Sequence, residues 1–278
     1  MVARVLPDSS RKPARRLRPG IGLRRGTLLA LLLLAASCGE RAPETETEAR
    51  DRLPDFAAAR SVRERKQRFC DFLRPHIQAE NARITAQRER LLRLQGAYQE
   101  QAALGVRDRR WIEKLAHRYD LPSFDPRQAE SWQRLLRRVD VIPLPLAMMQ
   151  AANESAWGTS RMAREGLALF GQWYYGDGPA LTPRRRDPGQ QHRVKAFATA
   201  RDAVRSYMRN LNTHAAYREL RLMRQRQRLL GETLDSFRLA AGLVRYSARG
   251  NAYVREIRQM LRANARYIRS GESAAEKT

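Results

Sequence analysis

Residues 150–173, QAANESAWGTSRMAREGLALFGQW, decide the fold and the chemistry predicted for this sequence. Their first part belongs to an apolar helix predicted over 146–156, and a Gly-Thr-Ser break at 158–160 follows it. Glu154 stands near the end of that helix, among alanines, methionines and a tryptophan. We therefore expect the carboxyl group of Glu154 to lie in apolar surroundings, where the end of the helix can open onto a cleft.

A carboxylate in apolar surroundings loses hydration, so its pKa rises and it holds a proton near neutral pH. Such a group can act as the general acid that protonates the leaving oxygen of a glycosidic bond. The competing interpretation is an exposed glutamate on the polar side of an amphipathic helix. Glu154 is the only acid between Asp140 and Glu165, in a stretch of otherwise buried character, and this favours the first interpretation.

Helical patterns occupy most of the rest of the chain. Apolar residues recur at helical spacing from Phe56 to Leu104, where Pro75 is predicted to start or kink a helix. Asp108 is predicted to cap the next helix. Further helices are predicted over 127–139, 200–211, 217–229, 234–243 and 251–268.

One segment breaks the helical pattern. Residues 169–197 are rich in Gly, Pro and Tyr, and they predict two or three short strands, around 170–175 and 192–197, joined by a basic loop. The sequence therefore predicts an α+β fold that is mostly helical, with a small β-excursion and an N-terminal helical arm.

The N-terminus has the three parts of a secretory signal. Eight bases accompany one acid in residues 1–25, an apolar run follows at 27–36, and small residues precede Cys38. The run is about half of the ~20 residues that span a bilayer, which predicts export rather than a permanent helical anchor. The Ala-Ala-Ser-Cys stretch at 35–38 resembles a bacterial lipoprotein cleavage box, in which Cys38 receives lipid; the alternative is a plain signal peptide cut nearby.

The charge of the chain favours anionic partners. The 278 residues include 54 Lys and Arg against 29 acids, a formal net charge of +25, and removal of residues 1–37 leaves +18. For an exported protein this excess fits a cell-wall polymer and a membrane surface, reached through the lipid anchor, and not nucleic acid. Four scattered His and two Cys, without HExxH or CxxC spacing, predict no metal site and no cofactor.

Composition divides the chain into five segments. In order these are a lipoprotein-type signal peptide (1–37), a polar flexible tether (38–55), an N-terminal helical region (56–140), the domain that carries the predicted chemistry (141–270) and a disordered tail (271–278).

Four stretches together resemble one protein family. They are NESAWGTSR (153–161), LFGQW (169–173), NLNTHAAYRELR (210–221) and LVRYSARGNAYVREI (243–257). In combination they are similar to the bacterial Bax-type proteins of the glucosaminidase domain superfamily, glycoside hydrolase family 73, from about residue 56 to 268. The resemblance implies a lysozyme-like fold and cleavage of β-1,4 bonds to N-acetylglucosamine in peptidoglycan glycan strands. It matches Glu154 to the catalytic acid of the family and Tyr246 to a tyrosine near the site.

A second carboxylate is less clearly marked. Many members of the resembled family carry one in the β-excursion, as general base or nucleophile, and between Gly166 and Arg201 this chain offers Asp177 and Asp187. Both stand in turn-like contexts, where aspartate is a common turn former. We select Asp187, because its loop could fold over a cleft; otherwise the 2-acetamido group of the substrate would act as nucleophile.

Aromatic and amide side chains after Glu154 are candidates for sugar contacts. We expect Trp157, Phe170 and Trp173 to offer apolar ring faces to pyranose rings, and Gln172 to bond acetamido or hydroxyl groups. The alternative places Trp157 and Phe170 in the core. Two other functions remain open from the sequence: a lytic transglycosylase that leaves an anhydro-sugar, and a wall-binding lipoprotein without catalysis.

Overall fold

The computed structural model describes residues 53–101, 103–184 and 192–269. The signal peptide, Cys38, the tether up to residue 52, Asp187 and the tail after residue 270 lie outside these ranges. What the sequence predicts for them stays a prediction.

Within the described ranges the chain forms ten α-helices. They are α1 (Val62–Gln101), α2 (Val106–Arg118), α3 (Ala129–Arg138), α4 (Leu144–Ser155), α5 (Arg161–Gly166), α6 (Ala200–Thr213), α7 (Arg218–Leu229), α8 (Ser236–Leu239), α9 (Asn251–Ala263) and α10 (Ala265–Arg269). Short 3-10 turns cover Phe56–Ala58, Ala215–Tyr217 and Ala240–Leu243. The predicted helical segments are confirmed, and α5 is an addition that the sequence did not indicate.

Three short strands form the β-excursion. They are β1 (Trp173–Tyr174), β2 (Ala180–Leu181) and β3 (Arg193–Lys195), in the antiparallel order β1-β3-β2. Val194 pairs with Trp173 on one side and with Leu181 on the other, so β3 is the central strand. The prediction of a mostly helical, lysozyme-like α+β fold with a small sheet is confirmed.

Helix α1 connects two hydrophobic cores. Its N-terminal half contributes Phe69, Cys70 and Leu73 to the main core, which also contains the buried faces of α4 and α6. Its C-terminal half contributes Leu91 to a smaller core with α2 and α3. The N-terminal helical region therefore buries its apolar stripe within the molecule, as amphipathic helices of globular proteins do.

Two local predictions need correction. Of the two alternatives for Pro75, the start of a helix is wrong, because Pro75 lies inside the continuous helix α1, and the kink stays a prediction. Asp108 is not the N-cap of α2: the cap position is Gly105, and Asp108 lies in the first turn, where its carboxylate pairs with Arg90 at 2.9 Å. An acidic side chain in the first turn still interacts favourably with the helix dipole.

A buried charge cluster holds α1, α7 and the approach to α4 together. Asp140 is 2% exposed and takes a hydrogen bond from Arg228 at 3.0 Å, while Arg88 and Arg224 each approach it at 3.6 Å. Burial raises the pKa of Asp140, but the charges of these arginines outweigh that effect and hold it below the ordinary value. The start of α4 is thereby fixed relative to the rest of the fold.

Candidate active site

Glu154 occupies the last turn of α4, and the helix stops directly after it. Pro143 precedes the first residue of α4 and a second proline lies in its first turn, where the missing N–H costs no hydrogen bond. The Ser155 hydroxyl donates to the Ala151 carbonyl at 2.6 Å and accepts from the Gly158 N–H at 2.9 Å, which closes the helix end. The side chain of Glu154 is half-buried, with part of its surface open to solvent.

The turn after Glu154 is strained. Ala156, Trp157 and Gly158 all have left-handed backbones, with φ of 51°, 58° and 78°. The first two carry a Cβ, so each costs of the order of 1 kcal/mol in this conformation. A Cβ on Gly158 would lie 2.2 Å from a ring carbon of Phe56, so only glycine fits there. Strained backbones of this kind persist mainly at functional sites.

A chain of hydrogen bonds leads from the core to Glu154. The Tyr207 hydroxyl donates to Gln150 Oε1 at 2.7 Å, and Gln150 Nε2 donates to the Tyr253 oxygen at 3.0 Å. Because the Tyr253 oxygen accepts from Gln150, its own hydrogen is available for Glu154, to which Tyr253 is hydrogen bonded. Asn153 Nδ2 adds a longer contact of 3.4 Å to Glu154 Oε1.

The surroundings raise the pKa of Glu154 from 4.5 to about 7. Burial is the main cause, and the charge of Glu256 adds to it, while the hydrogen bonds from Tyr253 and Asn153 act in the opposite direction. Near neutral pH this carboxyl group is therefore divided between its protonated and ionised forms. A group in that state can deliver a proton to a substrate oxygen.

Tyr246 lies in the core next to this chain. It is fully buried, its hydroxyl donates to the Phe170 carbonyl at 2.8 Å, and its ring stacks on Tyr253 with centroids 5.4 Å apart. Burial keeps the pKa of both phenols well above the ordinary value, so both act as neutral hydrogen-bond donors. Tyr246 thus supports the ring of Tyr253, whose hydroxyl contacts Glu154.

The candidate sugar contacts fall into two groups. Phe170 is 1% exposed and stacks on Tyr207 at 3.9 Å, so its ring belongs to the core. Trp157 is half-buried, and its ring meets Phe69 edge to face at 5.8 Å.

The other group lies at the sheet. Gln172 is 4% exposed and Trp173 is half-buried, stacked on His192 at 4.1 Å. Gln172 Oε1 and the indole nitrogen of Trp173 are buried without a hydrogen-bond partner among the described residues. Unpaired buried polar atoms are rare in proteins and call for an explanation in function or strain.

The structure describes one of the two aspartates considered for the second carboxylate. Asp177 is exposed in the turn that follows β1, and Asp187 lies outside the described residues. Glu256 was missed in the sequence: it follows Tyr253 by one helical turn on α9 and accepts a hydrogen bond from Arg249 at 2.6 Å. Tyr253 was also missed, although the quoted motif at 243–257 contains it.

The described residues lack two features that would point to other functions. They contain no cluster of three or more His, Cys, Asp or Glu side chains arranged to hold a metal ion. None of the helices in the same residues combines the length and the apolar character needed to cross a membrane.

Comparison with known proteins identifies the family. A family model described as mannosyl-glycoprotein endo-beta-N-acetylglucosaminidase matches residues 129–266, which include Glu154, the sheet and α9. The chain is also 33% identical over 217 residues to Protein bax of Escherichia coli (strain K12), a match that covers 78% of this chain and 76% of the relative. No solved structure matches the chain significantly. The chain therefore belongs to the glucosaminidase-domain family, as a Bax-type protein.

Proposed function

We propose that this chain is a peptidoglycan hydrolase that cleaves β-1,4 glycosidic bonds to N-acetylglucosamine, with Glu154 as the general acid. The observation that carries the proposal is the carboxyl group of Glu154, half-buried at a strained helix end in a glucosaminidase-family chain, with a pKa of about 7. Glycoside hydrolysis needs an acid that is still protonated at the working pH.

The surroundings of Glu154 suit proton delivery. The hydrogen bond from Tyr253 orients the carboxyl group, and Gln150 and Tyr207 hold Tyr253 in turn. The solvent-facing part of Glu154 is then free to approach the glycosidic oxygen. Proton transfer from a positioned acid contributes about 10²–10⁴-fold to such reactions. Tyr246 acts as a positioning residue, because its hydroxyl is engaged with the Phe170 carbonyl.

The second half of the reaction requires a base or a nucleophile. We propose Asp187 for this role, and the 2-acetamido group of the substrate as the alternative. The variant Asp187→Asn separates the two: loss of hydrolysis supports Asp187, whereas full activity transfers the role to the acetamido group. Asp177→Asn is the matched control, because Asp177 is an exposed aspartate of the same excursion.

We propose that the glycan contacts Gln172, Trp173 and the exposed edge of Trp157. The unpaired Gln172 Oε1 and Trp173 indole N–H support this assignment, since sugar hydroxyl or acetamido groups would satisfy both if the sheet opens to admit them. Phe170 contributes through its backbone carbonyl and its packing, because its ring has no free face.

We also propose export to the cell envelope with a lipid anchor on Cys38. The support is the basic, apolar and small-residue pattern of residues 1–38 together with the net charge of +18 that remains after cleavage. The variant Cys38→Ala is expected to move the protein from the membrane fraction to the soluble envelope fraction. Unchanged membrane association would contradict the lipid anchor and leave the hydrolase proposal untouched.

The experiment that tests the function compares three proteins on purified peptidoglycan sacculi. Wild type is expected to release soluble fragments with new reducing ends, Glu154→Gln to release none, and Glu165→Gln to match wild type. Glu165 is the control because it lies outside the site on α5, half exposed and paired with Arg161 at 2.6 Å. Full activity of Glu154→Gln would refute the assignment.

Two other functions would give different results. A lytic transglycosylase would also depend on Glu154 but would leave anhydro-muramic ends in place of reducing ends. A wall-binding lipoprotein would bind sacculi in a salt-sensitive manner, because its contacts would be arginine-based, and would release nothing. Between a lipoprotein that binds the wall and a scaffold that does not, the large excess of arginine in the sequence favours the wall-binding protein.

A further inference from the structure

A cavity lies away from Glu154, between the N-terminal helical region and α6. Its volume is about 520 Å³, and we call it the seam pocket. Its lining includes Glu80, Arg83, His117, Arg118, Arg205 and Arg209. Three separate helices thus bring four guanidinium groups to one cavity, against a single lining carboxylate.

The one acid in the pocket holds part of this array in place. Glu80 is 1% exposed and is bound by Arg83, with Arg83 Nε at 3.0 Å, and by Arg205 Nε at 3.4 Å. A buried carboxylate with two guanidinium partners is fully paired, so it fixes their positions instead of attracting a further cation. The Arg83 and Arg205 side chains remain 29% and 45% exposed, facing the cavity and solvent.

Arg205 and Arg209 have N–H donors that make no hydrogen bond within the described residues. Arg209 uses Nε on the Arg118 carbonyl at 2.9 Å and Nη2 on Asp120 at 2.7 Å. Arg205 uses Nε on Glu80 and Nη1 on Asp202. Each guanidinium has five N–H donors, so both arginines keep several for a ligand. Planar guanidinium groups bind carboxylates in paired hydrogen bonds.

The seam pocket is linked to the sheet where the glycan is proposed to lie. Ser206, next to Arg205 on α6, accepts hydrogen bonds from Gln172 through its carbonyl and from Lys195 through its hydroxyl, both at 3.3 Å. Burial is the main cause of the lowered pKa of Lys195, and the charge of Arg209 lowers it further, so the two cations lie within electrostatic reach of each other. A cationic track therefore runs from β3 along α6 to the pocket.

We propose that the seam pocket binds the free carboxylates of the peptide stem that branches from peptidoglycan glycan strands. The inference rests on the proposed function, because it takes a glycan on the sheet as the origin of the branch. The stem is an acidic peptide, and the guanidinium groups recognise its carboxylates by charge and by hydrogen bonding. The pocket then selects peptide-bearing strands over naked ones, while Glu154 carries out the chemistry.

Equilibrium binding of the isolated stem tetrapeptide, without sugar, tests the proposal directly. The full chain is expected to bind the tetrapeptide, and Arg118→Gln with Arg209→Gln is expected to weaken binding about tenfold, the effect of a lost charge-assisted bond or more. Arg218→Gln with Arg238→Gln is the matched control: it also removes two charges, but these side chains are 67% and 51% exposed and do not line the pocket. Its binding should equal that of wild type.

Further measurements distinguish a failure of this proposal from a failure of the proposed hydrolase function. Kinetics on peptide-bearing and amidase-stripped strands should show that the double variant loses the preference for peptide-bearing strands through KM. Three results would overturn the proposal that the seam pocket binds the stem. The tetrapeptide does not bind, the double variant binds it as well as wild type does, or inorganic phosphate competes with it equally well. Tetrapeptide binding through these arginines by a protein that cleaves no glycan would support the pocket and refute the hydrolase.

Discussion

Replacing Glu154 by Gln should stabilise the protein at alkaline pH while it removes activity. The folded state raises the pKa of Glu154 from 4.5 to about 7, because burial disfavours the ionised form. A carboxyl group with a raised pKa contributes its stability below pH 4.5, and that contribution is lost as pH rises through about 7. A glutamine of the same shape keeps the hydrogen bond from Tyr253 and never ionises.

The size of the effect follows from the shift. At 1.36 kcal/mol for each pKa unit, the ionised Glu154 costs wild type about 3 kcal/mol above pH 8. Urea denaturation at several pH values measures this as a difference in the free energy of unfolding between variant and wild type. At pH 4 that difference reports the substitution alone, because Glu154 is then mostly protonated in the folded and the unfolded state. At pH 8.5 it should be larger by about 3 kcal/mol.

The control for this experiment is Glu219→Gln, since the Glu219 side chain is 69% exposed on α7. Its difference from wild type should stay within about 0.5 kcal/mol at every pH. If the difference in the free energy of unfolding between Glu154→Gln and wild type stays constant from pH 4 to 8.5, the carboxyl group of Glu154 is not buried. Glu154 would then not hold a proton near neutral pH.

Three further variants probe the support of the site. Tyr253→Phe removes the donor to Glu154, so the pKa of Glu154 should rise, the alkaline limb of the pH–activity profile should move upward, and kcat should fall about tenfold; an unchanged profile would argue against the bond. Gly158→Ala should cost about 2–3 kcal/mol in urea denaturation, because its φ is +78° and the new Cβ meets Phe56 at 2.2 Å; native stability would contradict the packing. Asp140→Asn leaves buried arginines without their counter-charge and should cost about 3 kcal/mol in the same assay, whereas a loss below about 1 kcal/mol would mean that the cluster is solvated.

The sequence was sufficient for the fold class and for selecting Glu154 as the candidate acid. Apolar periodicity placed the helices, and the Gly- and Tyr-rich segment placed the sheet, because both signals are local. Glu154 stood out since acids are absent around it in an apolar stretch. The burial that raises its pKa is tertiary, because α4 packs against α1 and α9.

Contacts distant in sequence could not be read in this way. Tyr253 is nearly one hundred residues from Glu154, and nothing local marks its hydroxyl as the donor. The seam pocket likewise joins α1, α2 and α6, whose arginines appear along the chain as ordinary solvated charge. Pro75 could lie inside α1 because tertiary packing on both cores holds this helix together despite the missing hydrogen bond.

The central claim is that a proton from Glu154 leads to hydrolysis of a bond to N-acetylglucosamine. Its most direct test is mass spectrometry of the fragments released from sacculi by the purified protein in water enriched in oxygen-18. We expect wild type to release reducing-end N-acetylglucosamine that carries one heavy oxygen, and Glu154→Gln to release none. Anhydro-muramic ends without heavy oxygen, or heavy-oxygen ends that persist in Glu154→Gln, would contradict it.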